Sequence, residues 1–494
     1  MFNGIKLINL LQNKDKYIYY LSSIKINTMK INKNYRQIYD CVHGSIHISN
    51  IASRIIDTYE FQRLRGLHQL GTCHYVYPSA NHTRFEHSLG TYYLVDRILD
   101  AIIKNTPKKE INRCLELEEK LKNYYEKKGY KKDYHKLDSY ICELIKIAGL
   151  CHDLGHGPFS HVFDDAFIPS VCNYYKDRNI EMELHENRSG RIITKIIKSD
   201  DVLKDIISDD EIEFIKNLIN PKKEQIGFLY QIVSNNFNSI DVDKFDYLAR
   251  DTYTIGLKFG FDYTRLVDDV RVIDNIICYP EQLYFALSSI FQTRYRLHKQ
   301  VYNHKAVISV QLMINEIMIL IDPIVRIYES INDIDLFCNL TDDYIFSTLR
   351  FLHTNINKYD EDEKVLIDEA YKIMKRINER DLYKFVRTIV ADVKLDNKFD
   401  IIKKELSEED FSKIMVHKTK IGFVSGEKNN PFDNLFFFKN KVPNKCFKIR
   451  KEQISYLIPN IYQEFLYMFF IDNYNDKDKT LELKLGKIID DICT

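Results

Sequence analysis

Apolar residues recur at helical spacing along most of the chain, and this pattern constrains the fold more than any other feature. Val95, Ile98 and Ile102 fall on one face of a helix predicted over residues 84–103, and the pattern returns over 144–156. Similar patterns continue through the 190s, the 210s and residues 241–252, 286–327 and 361–390. Strands and helices do not alternate as they would around a parallel sheet. The sequence therefore predicts an all-helical main lobe.

The pattern changes towards the C-terminus. Residues 414–424 and 435–449 combine β-branched and aromatic residues with turn signals such as Asn429-Asn430-Pro431. The predicted fold class is mainly α: an all-helical lobe with a smaller C-terminal α+β lobe. We predict an N-terminal extension at 1–34, a helical lobe at 35–330 with a charged insertion at about 104–136, and an α+β lobe at 331–494.

Composition excludes several classes of protein. Lys and Arg total 71, as do Asp and Glu, so no global field draws the chain to nucleic acid or to an anionic membrane. Ten cysteines without a C-x-x-C pair argue against a zinc ribbon and a secreted disulfide framework. Gln311, Glu316 and Asp322 interrupt the most apolar stretch, so a bilayer-spanning helix is not expected. We expect a protein of the cytoplasm or nucleus.

Residues 1–34 show no signal-peptide pattern and are interpreted as a tail, with Met29 as an alternative start. Because this stretch is basic and poor in acids, organelle targeting stays an open alternative.

The segment C-H-D-L-G-H-G-P-F-S-H, residues 151–161, carries the strongest chemical signal. It places His152 and Asp153 near the end of a predicted helix, where Gly157 and Pro158 should break it. A His-Asp dipeptide alone is weak. Here it belongs to a group of metal-ligating and titratable residues, namely His152, Asp153, His156, His161 and Asp164. Burying so many imidazoles without a shared purpose would be costly.

Two other segments offer further ligands. His87 should point inward from its predicted helix, although alone it would be read as a core histidine. Asp243, Tyr247 and Asp251 are four residues apart and share a helical face, for which a solvated charged face is the alternative. Two imidazoles and two carboxylates could then hold one divalent cation and leave room for water and phosphate. That set is His87, His152, Asp153 and Asp243.

A third segment is cationic and aromatic. Arg294, His298 and Tyr302 are four residues apart and Lys305 follows three later, so one helix should present them along one edge. The intervening Leu297 makes a purely solvated basic stripe the weaker alternative.

These residues form the H…HD…D pattern of the HD superfamily. Within it, the chain resembles the deoxynucleoside triphosphate triphosphohydrolases that in vertebrates join a sterile-alpha-motif domain to an HD domain, a domain we do not expect here. The resemblance runs from about Arg36 to Phe465. It includes I-I-D-T-Y-E-F-Q-R-L-R, Y-V-Y-P-S-A-N-H-T-R-F-E-H-S-L-G, A-G-L-C-H-D-L-G-H-G-P-F-S-H-V-F-D and I-V-S-N-N-F-N-S-I-D-V-D-K-F-D-Y-L-A-R-D.

The resemblance implies that a dNTP is converted to a deoxynucleoside and tripolyphosphate. One transition metal, iron, manganese or zinc, would be held by His87, His152, Asp153 and Asp243. Magnesium would accompany the substrate triphosphate. The proton donor to the 5′-oxygen would be His161, and the neighbours that hold or tune it would be His156, Asp164, His185 and Glu186.

The substrate contacts follow from the resemblance together with the cationic edge. They are Gln69, Leu70, Arg84, Lys244, Tyr247, Asp251, Arg294, His298, Tyr302 and Asn303. Asp251 would read the 3′-hydroxyl, and Asn303 stands where the family has glutamine.

The family is activated by guanine nucleotides that bind between subunits and assemble a tetramer. The resemblance therefore implies GTP or dGTP as activator and a homo-oligomer, either dimer or tetramer. The matching positions are Arg36, Asp57, Gln62, Arg65, Arg265, His304 and Lys305. Three regulatory positions depart from the family: Tyr39, Ser45 and Gln282 replace asparagine, histidine and lysine.

Two other functions remain open on the sequence. The metal ligands alone would also suit an HD phosphohydrolase that acts on other nucleotides or on nucleic-acid ends. A catalytically inactive nucleotide sensor or single-stranded nucleic-acid binder is the second alternative, although every predicted ligand is present and nucleic-acid binding is not indicated.

Overall fold

Two helices that pack against each other, α3 (Arg84–Asn105) and α6 (Ser139–Cys151), form the scaffold of the main lobe. A capping box between Thr83 and Glu86 begins α3, and the Asp138 side chain accepts two backbone N–H groups at the start of α6. Their apolar faces, including Val95 and Leu144, are fully buried. The computed structural model describes residues 36–130, 135–176, 178–422, 430–454, 462–472 and 479–493. The predicted extension at 1–34 lies outside them.

The remaining α-helices are distributed along the whole described chain. They are α1 (Asn50–Ile56), α2 (Tyr59–Gln62), α4 (Lys108–Leu115), α5 (Lys122–Lys127), α7 (Ile168–Val171), α8 (His185–Ser199), α9 (Leu203–Ile206), α10 (Asp209–Ile219), α11 (Val242–Ile255), α12 (Thr264–Asp268), α13 (Tyr284–Leu297), α14 (Lys305–Val325), α15 (Ile334–Phe337), α16 (Asp342–Thr354), α17 (Glu361–Glu379), α18 (Asp396–Glu405), α19 (Glu408–Ser412), α20 (Lys451–Ile454) and α21 (Thr480–Cys493). Short π-helical segments span Val162–Phe167 and His298–Tyr302.

The strands form three small sheets. They are β1 (Arg36–Asp40), β2 (Gly44–Ile48), β3 (Arg271–Ile273), β4 (Ile276–Pro280), β5 (Lys384–Ala391), β6 (Ile414–Gly422), β7 (Phe437–Lys439), β8 (Val442–Phe447) and β9 (Gln463–Ile471). The sheet orders are β1-β2, β3-β4-β7-β8 and β5-β9-β6. All pairs are antiparallel except β4 with β7.

The three-stranded C-terminal sheet lies between two hydrophobic cores. On its central strand β9, Tyr467 and Phe469 face a small core shared with α18 and α21, whereas Met468 and Phe470 belong to the large core of the main lobe. This alternation follows from the period of two along a strand. The sheet therefore joins the C-terminal region to the main lobe.

The predicted fold class is confirmed as mainly helical with a smaller sheet-containing C-terminal region, but the main lobe is not all-helical. The hairpins β1–β2 and β3–β4 lie within it. Their short strands carry too few residues for a clear period, and their pairing depends on the turns between them.

Three predicted helix boundaries are wrong. Helix α6 ends at Cys151 rather than near 156, so His152 and Asp153 follow the helix. The helix predicted over 286–327 is divided at His298–Tyr302. The helix predicted over 361–390 ends at Glu379, and residues 384–391 instead pair with β9 as a strand.

Helix α14 is the one described helix that is long and apolar enough to cross a membrane by composition. Its residues Met313, Ile314 and Ile317 are fully buried in the large core. It therefore packs as the core helix of the main lobe.

Candidate active site

The predicted metal ligands come from three elements and meet at one point. His87 lies in the first turns of α3, His152 and Asp153 follow α6, and Asp243 begins α11. His87 Nε2 lies 3.1 Å from Asp243 Oδ1 and 3.2 Å from His152 Nε2. Asp153 has one carboxylate oxygen 3.2 Å from His152 Nε2 and the other 3.5 Å from His87 Nε2. We call these four residues the metal centre.

Hydrogen bonds on the far side of each imidazole orient the rings. His152 Nδ1 lies 2.8 Å from the Gly149 carbonyl oxygen, and His87 Nδ1 lies 2.7 Å from Asp246 Oδ2. A carbonyl or carboxylate oxygen only accepts, so both Nδ1 atoms donate. When the rings are neutral, as in a metal complex, both Nε2 lone pairs therefore face the centre.

The electrostatics of the metal centre favour positive charge. Although burial lowers the pKa of His87, hydrogen bonds to Asp243 and Asp246 raise it to about 10. Burial raises the pKa of Asp243, but His152 and His87 hold it well below its usual range. His87, His152 and Asp243 offer ligand atoms within 4.8 Å of one another, so the group can hold a divalent metal ion. The mixed nitrogen and oxygen donors suit a transition metal.

A second cluster adjoins the metal centre. His156 Nδ1 donates to Asp164 Oδ2 at 2.7 Å, and its Nε2 lies 3.4 Å from Asp153 Oδ1. The His185 ring stacks on His156 with centroids 3.9 Å apart. Burial and the neighbouring His156 hold the pKa of His185 well below its usual value, so its ring is neutral. Glu186 lies 3.5 Å from His185, so four predicted neighbours of the proton donor are together.

The predicted proton donor, His161, is the exposed member of this region. Its side chain is 68% exposed and lies 3.1 Å from Asp165. The His161 and His156 rings have centroids 5.7 Å apart. An exposed imidazole beside a carboxylate can reach a substrate in the cleft and carry a proton.

The loop before His161 is strained and tightly held. Phe159 and Ser160 both have φ of 56°, a left-handed conformation that costs non-glycine residues about 1–3 kcal/mol. The Phe159 N–H donates to Asp342 at 2.6 Å, and Ser160 Oγ accepts from Arg84 Nε at 2.9 Å. Arg84 also pairs with Asp153, so this buried cation lies beside the metal centre.

Several of the predicted substrate residues lie near one another. Burial raises the pKa of Tyr247, and the neighbouring cations Arg294 and Lys244 partly offset that rise. Asp251 accepts from Tyr302 Oη at 2.6 Å, with His82 Nε2 2.8 Å away. Leu70 packs half-buried against the large core.

Two polar atoms in this region lack a partner. Within the part of the chain that the structure describes, Gln69 Oε1 and Arg294 Nε are buried without a hydrogen bond. Leaving such groups unpaired is costly, so both atoms have hydrogen-bonding capacity left for a partner such as water or a polar ligand.

The predicted cationic edge does not lie on one continuous α-helix. Helix α13 ends at Leu297 and His298–Tyr302 forms a π-turn, so Lys305 begins α14 and lies 5.8 Å from the Phe385 ring. The π-turn also places Asn303 3.3 Å from His417 Nε2 on β6. The edge is therefore divided among α13, the π-helical segment and α14, and its end lies next to the C-terminal sheet.

Comparisons with known proteins agree with this geometry. Residues 84–251 match the HD domain family. A putative HD domain-containing protein of Acanthamoeba polyphaga mimivirus is 38% identical over 90% of this chain and 94% of its own length. The deoxynucleoside triphosphate triphosphohydrolase SAMHD1 homolog of Dictyostelium discoideum is 36% identical, over 87% and 76%. The chain belongs to the SAMHD1 family of HD-domain proteins. Human deoxynucleoside triphosphate triphosphohydrolase SAMHD1 is 32% identical, over 91% of this chain and 71% of its own length.

Membership of the SAMHD1 family confirms the resemblance inferred from the sequence. The matched HD domain begins at Arg84 and ends at Asp251, so it contains the whole metal centre and the second cluster.

Four of the positions that the resemblance assigns to the SAMHD1-type activator site lie together. Arg36 Nη1 donates to Asp57 at 2.5 Å, Gln62 Nε2 donates to the Ile56 carbonyl at 2.8 Å, and Gln62 Oε1 accepts from Arg65. We call Arg36, Asp57, Gln62 and Arg65 the edge patch.

The other three positions lie elsewhere. Arg265 lies on α12, 3.5 Å from Asp269, and His304 is the N-cap residue of α14, directly before Lys305. Among the described residues, no hydrogen bond or ion pair joins these three side chains to the edge patch.

The sequence reasoning missed the residues behind the metal centre. Asp246 holds His87, Arg250 holds Asp246, and His43 reaches the same carboxylate from the β1–β2 turn. The four-residue spacing of Asp246 and Arg250 was a visible helical ion-pair signal. His43 gave none, since its contact spans 203 residues of sequence.

Proposed function

We propose that this protein is a metal-dependent dNTP triphosphohydrolase that converts a dNTP to a deoxynucleoside and tripolyphosphate. The observation that carries the proposal is the convergence of two imidazole Nε2 atoms and two carboxylates beside the buried cation Arg84. The Dictyostelium and human relatives are named as deoxynucleoside triphosphate triphosphohydrolases, which supports the substrate class.

Phosphoester hydrolysis requires neutralisation of the phosphate charge and an activated water, and the metal centre would supply both. A divalent cation held by His87, His152, Asp153 and Asp243 would neutralise phosphate charge and lower the pKa of an attacking water. We propose iron, manganese or zinc there, with magnesium on the triphosphate. Elemental analysis of the purified protein identifies the first ion.

The side chains around the metal centre stabilise the growing negative charge. Arg84, Lys244 and Arg294 are the cations of the cleft, and the unpaired Nε of Arg294 has a free donor for a phosphate oxygen. Donors fixed before the reaction stabilise a transition state without reorganisation.

We assign proton delivery to His161. Its side chain is exposed and carries Asp165 as its ion-pair partner, so it can approach the 5′-oxygen of a bound dNTP. His156 and Asp164 connect this region to the metal ligand Asp153. His156 and Asp164 would hold His161 in position and tune its protonation.

Sugar recognition is assigned to the wall around Asp251. Its carboxylate would accept the 3′-hydroxyl, while Tyr302 and Leu70 would lie against the ring and exclude a 2′-hydroxyl. Tyr302 donates to Asp251 and fixes that carboxylate. Gln69 Oε1, buried and unpaired, would accept from the substrate.

We also propose that GTP or dGTP activates the enzyme through the edge patch and that activation accompanies assembly of a dimer or tetramer. The patch offers two guanidinium groups for a phosphate or a guanine base, and Asp57 for guanine N–H groups. Light scattering with and without GTP measures the assembly.

One assay tests the reaction. Purified protein is incubated with each dNTP, with and without GTP, and products are resolved by ion-exchange chromatography. Tripolyphosphate supports the proposal. Pyrophosphate or monophosphate would instead indicate another HD hydrolase, and tight binding without products would indicate a sensor. Asp243→Asn serves as the control for contaminating phosphatases.

A further inference from the structure

The turn of the β1–β2 hairpin directs a histidine into the protein. Asp40 Oδ1 accepts the backbone N–H groups of Val42 at 2.9 Å and His43 at 2.8 Å, which fixes the turn between the strands. The His43 side chain is fully buried and packs on the Tyr93 ring, with centroids 5.0 Å apart. A turn residue usually faces solvent, so this orientation needs a reason.

His43 makes two hydrogen bonds there. Its Nε2 lies 2.5 Å from Asp246 Oδ1 and its Nδ1 lies 2.8 Å from Tyr263 Oη. Arg250 donates to both oxygens of Asp246, so this group is an ion-paired carboxylate that only accepts. His43 Nε2 therefore donates to Asp246, and its Nδ1 can accept from the tyrosine hydroxyl.

Asp246 in turn fixes the metal ligand. Its Oδ2 accepts from His87 Nδ1 at 2.7 Å and from Arg250 Nε at 2.8 Å, and its Oδ1 accepts from Arg250 Nη2 at 2.9 Å. Arg250 Nη1 donates to Asp40 Oδ2 at 2.8 Å, which closes a ring of contacts back to the hairpin turn. The side chains of Asp246, Arg250 and His43 are fully buried.

The helix that carries His87 also bears on this carboxylate. Gly90, one turn after His87, lies against Asp246 and Arg250, and a Cβ there would overlap both side chains. The carboxylate is thus enclosed by α3 on one side and by His43 on the other. Without His43, Asp246 Oδ1 would keep Arg250 as its one donor among the residues that the structure describes, and the Asp246 carboxylate would have space to rotate.

We propose that His43 is a positioning residue for the metal ligand His87 and that it acts through Asp246, so the β1–β2 turn orients one ligand of the metal centre. The proposal rests on the proposed metal-dependent function. The ring orientation and basicity of a metal-binding histidine depend on the partner of its other nitrogen. His43 in turn fixes that partner.

Metal affinity separates this role from a purely structural one. We would titrate the metal-free protein with Mn²⁺, without nucleotide, and monitor its thermal unfolding separately. His43→Leu, which removes the donor to Asp246, should raise the Kd for Mn²⁺ by about 10–100-fold. His43→Gln, whose amide can still donate to Asp246, should recover most of the affinity. His47→Ala, exposed on the same hairpin, is the matched control and should bind Mn²⁺ as wild type does.

The outcomes are decisive in both directions. An unchanged Kd in His43→Leu, or a Kd in His43→Gln as high as in His43→Leu, would overturn the positioning role. If His43→Leu does not fold, His43→Asn, whose shorter amide does not reach Asp246, takes its place with the same expectations. If the wild-type protein does not bind Mn²⁺, the proposed metal-dependent function is wrong. If the Kd values change as predicted but no dNTP is hydrolysed, the role of His43 stands and only the proposed substrate is wrong.

Discussion

The metal centre and the edge patch are both built from paired charged side chains, yet they differ in burial. The side chains of the metal centre range from fully buried at His87 to 31% exposed at Asp243, whereas Arg36 and Asp57 are 41% and 59% exposed. A charge pair in a dry site interacts strongly and is costly to break, while an exposed pair is screened by water and contributes little. The side chains of the metal centre are therefore held in place before any ligand binds. The edge patch can exchange its internal pairs for a ligand.

The largest expected effect is at the metal centre. Asp243→Asn removes one anionic ligand and should reduce turnover by more than ~10³-fold, because neutralisation and water activation are both weakened. Metal content by elemental analysis should fall with it. Wild-type turnover with full metal content would place the metal elsewhere.

Removing the cation behind the centre should affect stability. Arg250→Ala leaves Asp246 and Asp40 as buried carboxylates without their main partner and should lower the free energy of unfolding by about 3–5 kcal/mol. Urea denaturation of the metal-free protein measures it. Lys198→Ala, which breaks an exposed pair with Asp209, is the control and should change stability far less. Equal losses would remove the distinction between buried and exposed pairs.

Replacing the proton donor tests the exposed side of the cleft. His161→Ala should retain the metal but slow turnover by ~10²-fold or more, since one proton transfer loses its catalyst. Turnover is followed by product chromatography and metal by elemental analysis. Wild-type turnover in this variant would defeat the assignment.

The smallest effect is expected at the edge patch. Arg36→Ala should change the free energy of unfolding by less than about 1 kcal/mol, because its pair with Asp57 is exposed. It should raise the GTP concentration for half-maximal activation by roughly 10-fold, the value of one charge-assisted contact. Stability is read by urea denaturation and activation by dNTP turnover. Unaltered GTP dependence would place the activator elsewhere.

Local sequence patterns predicted the parts of the fold that depend on local periodicity. The positions of α3 and of strand β6 follow from spacing and composition. The helix predicted over 361–390 includes strand β5, because the partner of that strand, β9, lies about eighty residues further on. The division at His298–Tyr302 contains neither glycine nor proline, so nothing local signalled it.

In the candidate site, the residues that belong to a sequence motif could be predicted, and most of those that support them could not. The H…HD…D pattern predicts four ligands, and their side chains converge in space. That they bind a metal ion stays a prediction. The supporting residue Asp246 is detectable in the sequence from its four-residue spacing to Arg250, whereas His43 is not, because its contact with Asp246 spans 203 residues.

The C-terminal sheet has a consequence for how the enzyme is made. Gly422, at the end of β6, accepts from Arg294, and β6 is held in the sheet through β9. During synthesis on the ribosome, β9 emerges long after every proposed metal ligand, because chains are made from the N-terminus. A nascent or prematurely terminated chain ending before Gln463 would thus contain all four proposed metal ligands, yet it would lack the strand that holds β6 beside Arg294.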